Sequence, residues 1–323
     1  MNAAVLRATG ELPCFEQFPD PAPGAGEVLV HVRAAALKPI DRQMAGGSHY
    51  AAFREFPVVC GNDGVGRLDD GKRVFFAAPR HPYGSMAERT VVSPFRCFPL
   101  PATVDDEVAA AIFNPGLSAW GALAWRAQLT AGETVLILGA TGVTGKLAVQ
   151  MAKLLGAGRV IAAGRNLEVL HTLAALGADA TICLDKPAHD LTQAFAQEAG
   201  DTGFDVIIDY LWGAPTEALL DALTRSDLKP AASRVRLVQV GESAGSRISL
   251  PAAVLRSSRL EILGAGSGSA PASPETWKDA IQQLLTNVSS GALRIDTARV
   301  PLAAIREAWT QHQPGRRLVI VPE

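Results

Sequence analysis

The chain has 323 residues, 48 % of them hydrophobic and 19 % charged, with a formal net charge of −2; that is enough material for two compact cores. No basic stripe and no run of like charge is present, which excludes an electrostatic grip on nucleic acid, and no apolar run is long enough to cross a bilayer. The sequence therefore predicts no nucleic-acid and no membrane partner.

The N-terminal run Met1-Asn2-Ala3-Ala4-Val5-Leu6-Arg7 lacks a charged region followed by a long apolar stretch, so it reads as a first strand and not as a signal peptide. The first hundred or so residues hold short β-like runs at 26–33, 73–76 and 87–92, punctuated by Gly and Pro. They predict a β-rich domain over 1–110. Near Asp105 the texture changes to Ala- and Leu-rich helical segments alternating with short apolar runs. Strands are expected at 134–138, 159–163, 180–184, 204–210, 235–240 and 260–263, with helical patterns such as 146–155 and 167–176 between them. This alternation predicts a parallel sheet covered on both faces, and six strands match the doubly wound Rossmann fold, placed here over 111–265. A last helix at 275–285, a turn at Ser289-Ser290-Gly291 and a strand at 317–321 follow. A lone helix and strand have little core of their own, so 266–323 is expected to return to the first domain. The fold class is α/β.

Four cysteines, Cys14, Cys60, Cys97 and Cys183, are widely scattered. Their spacing fits neither a zinc knuckle nor a disulfide framework, and it predicts a reduced, cytoplasmic setting. The six histidines show no metal-binding spacing.

The sharpest motif is Gly139-Ala140-Thr141-Gly142-Val143-Thr144-Gly145, which follows the apolar run 134–138 and opens a helix expected to begin at Lys146. Glycine allows the tight turn and lets backbone N–H groups approach a pyrophosphate, while the helix N-terminus adds its positive dipole end. Some twenty residues on, where an NAD enzyme commonly places a carboxylate, the chain reads Gly164-Arg165-Asn166. Arg165 can grip a 2′-phosphate with paired donors, so the expected cofactor is NADPH.

With these residues in place, the whole chain resembles the medium-chain dehydrogenase/reductase superfamily, in its zinc-free quinone oxidoreductase (zeta-crystallin-like) branch. The resemblance rests on Gly26-Glu27-Val28-Leu29-Val30, Pro39-Ile40-Asp41, the run from Pro57 to Gly66, Gly84-Ser85-Met86-Ala87-Glu88, Gly116-Leu117-Ser118-Ala119-Trp120, the glycine loop, and Gly315-Arg316-Arg317-Leu318-Val319-Ile320. It implies a GroES-like first domain, an inserted Rossmann domain and a C-terminal return. Val240, Gly241 and Arg316 join the glycine loop, Gly164, Arg165 and Asn166 as candidate cofactor contacts. Zinc-dependent members resemble one another in a Cys-x-x-Asp and a Gly-His-Glu; here Lys38 stands at the first cysteine position, and Asn62 and Asp63 replace the His-Glu pair. No metal is expected.

The resemblance implies hydride transfer from NADPH to a quinone or an α,β-unsaturated carbonyl, for which orientation and one hydrogen-bond donor are enough. Tyr50 and Lys38 are the candidate catalytic donors, with a loop tyrosine and a solvated lysine as the plain readings of the same residues. Asp41 and Asp63 are read as structural, and Phe53, Phe113 and Trp212 as candidate walls of an apolar pocket. An enoyl-thioester reductase and a catalytically silent NADPH-binding sensor remain the competing functions. Related enzymes pair their last Rossmann strands, so the strand at 259–264 predicts a homodimer.

Overall fold

The computed structural model describes residues 1–49, 51–224, 234–271, 273–311 and 313–322. In chain order the elements are β1 (Asn2–Leu6), β2 (Cys14–Gln17), β3 (Val28–Ala36), α1 (Pro39–Ala45), β4 (Val58–Val59), β5 (Asp63–Leu68), β6 (Arg73–Ala77), β7 (Arg89–Val92), β8 (Cys97–Pro99) and α2 (Asp106–Trp120). Then come β9 (Thr134–Leu138), α3 (Val143–Leu154), β10 (Arg159–Gly164), α4 (Leu167–Thr172), β11 (Ala180–Cys183), α5 (Ala188–Ala199), β12 (Val206–Asp209), α6 (Ala214–Leu223), β13 (Val235–Gln239), α7 (Ala252–Ser257) and β14 (Leu260–Gly264). The chain closes with α8 (Pro274–Ser289), β15 (Thr297–Pro301), α9 (Ile305–Thr310) and β16 (Arg317–Val321).

These elements form two compact units: Met1–Phe113 with Leu285–Gly291 and Ile295–Glu323, and Asn114–Leu284 with Ala292–Arg294. The first unit is built on two largely antiparallel sheets, one ordered β2-β1-β4 and one ordered β15-β16-β3-β5-β6-β8 with β7 also on β3, in which only the β15–β16 pair is parallel among the described residues. Along β3 the side chains of Val30 and Val32 are buried while His31 and Arg33 face solvent, the period-two pattern of a half-buried strand. Val30 and Val32 pack with Val74, Phe76 and Val92. On the other side, β16 lies between β15 and β3, and its Leu318 and Ile320 join Leu6, Leu37, Met86, Ile305 and Trp309 in a second core. The C-terminal strand is thus an inner strand of this unit, which explains why the chain must return.

The second unit carries one parallel sheet in the order β11-β10-β9-β12-β13-β14. Val135, Leu136, Ile137 and Leu138 of β9 are all 0 % exposed, because helices cover both faces of the sheet. Each such side chain contributes roughly 1.5–3 kcal/mol relative to exposure. The expected six strands all form, with ends shifted by two residues at most.

Other expectations need correction. Helix α3 starts at Val143, three residues before Lys146, so the last glycine of the loop lies inside its first turn. The 167–176 pattern is a shorter α4 followed by a 3₁₀ turn at Leu173–Leu176. The first division falls at Phe113 instead of residue 110. Segment 266–284, expected to belong with the return, packs in the second unit. The reason is local: Leu284 of α8 sits against Gly116 so closely that a Cβ there would lie 2.7 Å from Leu284 Cδ1. Trp125 Nε1 also donates to Ser269 O at 3.1 Å, and Arg126 Nε to Gly264 O at 2.8 Å.

Candidate dinucleotide cradle and a buried charge cluster

In the second unit the glycine loop joins β9 to α3 at the carboxyl end of the sheet, where open α/β sheets present their ligand crevice. The three glycines do three different things. Gly139 adopts φ +84°, and its N–H, like that of Ala140, donates to Ala163 O at 2.9 Å, pinning the turn to β10. Gly142 is exposed and is the N-cap of α3; a Cβ there would meet only Gly139 O, at 3.4 Å. Gly145 is buried against the loop, and a Cβ would fall 2.2 Å from Gly139 O and 2.6 Å from Ala140 Cα. Thr141, Val143 and Thr144 complete the rim, and the first-turn N–H groups of α3 have no carbonyl behind them within the helix. An exposed rim of amides at a helix N-terminus is an anion cradle.

The second candidate strip lies at the end of β10. A Cβ on Gly164 would sit 2.4 Å from Thr141 Cγ2, so the two loops interlock. Arg165 is exposed and makes no ion pair or hydrogen bond with its side chain among the described residues. Asn166 is committed differently from the expectation: its Oδ1 accepts from Val169 N at 3.0 Å and caps α4. Of the polar pair, Arg165 is the one left facing outward.

Sequence reasoning named Val240 and Gly241 at the end of β13 but missed Asp209 at the end of β12, to which they are zipped. Asp209 is 0 % exposed; its Oδ1 accepts from Leu211 N at 2.8 Å and Trp212 N at 2.9 Å, and its Oδ2 accepts from Thr216 Oγ1 at 2.6 Å. Burial pushes the Asp209 carboxyl above the usual carboxylate range, against these bonds. The two amide bonds hold Trp212 at φ +56°, a left-handed backbone that a bulky residue rarely adopts. Val240 N donates to Asp209 O at 2.8 Å and Gly241 N to the same oxygen at 3.2 Å. Gly139 is in turn packed against Tyr210 Cβ and Leu211. Gly139, Thr141, Gly142, Val143, Thr144, Gly145, Gly164, Arg165, Asn166, Val240 and Gly241 therefore share one edge of one unit.

The remaining candidates belong to the first unit, apart from Trp212, which is half-buried against the second unit's core. Tyr50 lies outside the described residues. Lys38 is neither solvated nor available as a catalytic donor: it is 1 % exposed, and its Nζ lies 2.8 Å from Asp63 Oδ1, 3.2 Å from Ala36 O and 3.5 Å from Asp41 Oδ2. Burial alone would favour the neutral amine, but the charges of Asp41 and Asp63 hold the ammonium above the ordinary lysine value. Asp41 also accepts from Lys38 N at 2.8 Å, closing the first turn of α1. Arg316 is exposed, whereas Arg317 is buried and donates to Leu37 O at 3.2 Å. Phe113 is no pocket wall: it is 0 % exposed and stacks on Phe75 with ring centroids 3.8 Å apart. Phe53 packs against the first unit's core.

A β-rich unit with antiparallel sheets and a separate doubly wound parallel sheet define the architecture of the dehydrogenase/reductase class. Residues 143–286 match the family model described as zinc-binding dehydrogenase. The chain is 32 % identical over 224 residues to the mitochondrial NAD(P)H oxidoreductase RTN4IP1 of Danio rerio, a match covering 61 % of this chain and 56 % of that protein. It is 26 % identical to the probable NADPH-dependent quinone reductase tdiC of Emericella nidulans, with both chains covered in full. The Escherichia coli quinone oxidoreductase, solved with NADPH, superposes with a TM-score of 0.86 at 22 % identity over the whole of both chains. Together these matches support a place for the chain in the quinone oxidoreductase-type branch of the medium-chain dehydrogenase/reductase superfamily.

The family model's description implies zinc, and the residues present do not suit it. Tetrahedral zinc needs converging Cys, His or carboxylate ligands. No group of three or more His, Cys, Asp or Glu residues is arranged for a metal ion among the described residues. At the family positions the ammonium of Lys38 already lies between the two carboxylates, and Asn62 Nδ2 is turned to Met44 Sδ at 3.4 Å.

Proposed function

We propose that this chain is an NADPH-dependent oxidoreductase that passes hydride to a quinone or an α,β-unsaturated carbonyl without a metal. The observation that carries the cofactor reading is the amide rim of the glycine loop at the N-terminus of α3, with the exposed Arg165 unpaired among the described residues at the end of β10. In this reading the amides of Val143, Thr144 and Gly145 hold the pyrophosphate, and Arg165 pairs the 2′-phosphate. Val240 and Gly241, fixed by Asp209 O, bound the cradle on the β13 side. When bound, the dinucleotide supplies a hydride equivalent; the protein orients it and excludes water.

Support for the activity class comes from the relatives, described as an NAD(P)H oxidoreductase and a probable NADPH-dependent quinone reductase. Because Lys38 is spent on its carboxylates, the proposal gives the donor to the substrate oxygen to Tyr50, on its sequence position. A reduced, cytoplasmic setting and a homodimer paired through β14, one of the two edge strands of the parallel sheet among the described residues, belong to the same proposal.

The test is oxidation of NADPH by the purified chain with a panel of simple quinones, simple enones and a crotonyl thioester. Turnover on quinone or enone supports the reading. Turnover on the thioester alone would move the assignment to the enoyl-thioester class. Tight NADPH binding without turnover on any acceptor would make the chain a cofactor-binding sensor.

A further inference from the structure

Among the described residues, the interior of the first unit holds two cations and two anions in one cluster. Lys38, Asp41, Asp63 and Arg317 are 1 %, 3 %, 6 % and 7 % exposed. The Nζ of Lys38 meets three oxygens from three separate parts of the chain: Ala36 O in β3, Asp41 Oδ2 in α1 and Asp63 Oδ1 at the start of β5. Two of the three N–H donors are hydrogen-bonded, to Ala36 O and Asp63 Oδ1, and Asp41 completes the surround at ion-pair distance. Arg317, from β16, faces the same carboxylates, and its Nε has no partner. Arg42 and the buried thiol of Cys60 are the other titratable groups that feel Asp41.

Two carboxylates and a carbonyl converging on one buried point form a cation site. Emptying such a point is costly, because an unpaired carboxylate in the interior costs far more than a paired one. We propose that Lys38 is a tethered cation: its ammonium occupies a three-oxygen site, and a small free cation would enter that site once the side chain is cut back. The site ties β3, α1 and β5 together as a structural metal does in other proteins. Lys38 is thereby a structural residue, and the mismatch with the family's zinc is the consequence of an occupant built into the sequence. The inference concerns the first unit's interior alone, so it stands or falls independently of the hydride-transfer reading.

The experiment is thermal unfolding of the whole chain as Lys38→Ala, in methylammonium chloride, magnesium chloride or tetramethylammonium chloride at matched ionic strength. The midpoint should fall by roughly 10 °C. Methylammonium or magnesium should restore at least half of the loss. Tetramethylammonium, which has no N–H, should restore none, and the unsubstituted chain should respond alike to all three. A Lys38→Ala midpoint equal to that of the unsubstituted chain overturns the proposal, as does recovery no better than in tetramethylammonium. Should Lys38→Ala not fold, the pair Lys38→Met and Lys38→Met/Asp63→Asn decides. A double variant more stable than the single one supports the tethered cation; losses that simply add overturn it. Zinc bound at one per unsubstituted chain, with the midpoint lost on chelation, also overturns it.

Discussion

Gly142 and Gly145 stand three residues apart in one loop, yet substitution should separate their roles cleanly. A Cβ on Gly145 would lie 2.2 Å from Gly139 O, 2.6 Å from Ala140 Cα and 2.8 Å from Gly139 C. All three atoms are backbone, so no side chain can swing away; loop and helix must part by roughly 1 Å to restore ordinary contact. Overpacking of this kind costs about 1–3 kcal/mol, and rigid walls put it near the upper end. Gly145→Ala should therefore lower the unfolding midpoint by roughly 5–10 °C and weaken NADPH as well. At Gly142, by contrast, φ is −79° and the new Cβ would sit 3.4 Å from its nearest neighbour. The folded state should lose only about 0.5 kcal/mol, the difference between glycine and alanine at an N-cap. The methyl would nevertheless stand in the space a pyrophosphate must enter, loosening two charge-assisted bonds and costing about 3 kcal/mol of affinity, a hundredfold in Kd. Thermal unfolding without ligand and a fluorescence titration with NADPH read the two effects separately. If Gly142→Ala binds NADPH like the unsubstituted chain, no phosphate lies over that amide rim. A Gly145→Ala midpoint unchanged from the parent would refute the packing argument.

Three further expectations use other parts of the molecule. Arg165→Asp should weaken NADPH by about 2 kcal/mol, near thirtyfold, with NADH altered far less; equal losses in paired titrations would remove Arg165 from the 2′-phosphate. Asp209→Ala removes the acceptor of three bonds and should cost about 3 kcal/mol. Asp209→Asn keeps an acceptor and should show a pH signature in urea unfolding. Because the folded-state value of Asp209 is raised, its contribution is fully present below the unfolded carboxylate range near pH 4 and is lost as pH rises through the folded value. The asparagine variant should thus gain on the parent as pH rises, and a constant difference would contradict the burial argument. The chain should sediment as a dimer, and Ile262→Pro in β14 should shift it towards monomer or insolubility; a parent chain that stays monomeric at high concentration rules the pairing out.

The parallel sheet was legible in the sequence because strands buried on both faces read as unbroken apolar runs, as in Val135-Leu136-Ile137-Leu138. Strand β15 was not, since its pattern alternates weakly and its first residue pairs with Arg317 twenty positions on. The start of α3 was hidden because glycine and threonine in a first helical turn look like loop; only the close approach of Gly145 to Gly139 explains their place. Lys38 was misread because its charge partner Asp63 is 25 residues away in the chain. Phe113 was misread in the same way, its ring partner Phe75 being distant in sequence. Both errors concern contacts that composition and local spacing do not encode. Asp41 and Asp63 were read as structural, and Asp41 does hold a nearby backbone amide, whereas Asp63 spends its charge on the lysine.

Gly164, Arg165 and Asn166 are consecutive, yet they answer to unlike demands: contact with Thr141, an outward side chain with no partner among the described residues, and the cap of α4. Drift at the middle position carries almost no folding penalty, while drift on either side is punished by the fold. If Arg165 pairs the 2′-phosphate as proposed, selectivity between two forms of a dinucleotide rests on a single freely variable site. On that proposal, a lineage, or a library randomised at residue 165 alone, would change its electron currency without first acquiring a compensating mutation. The same freedom leaves nothing but selection on the reaction to keep an arginine there.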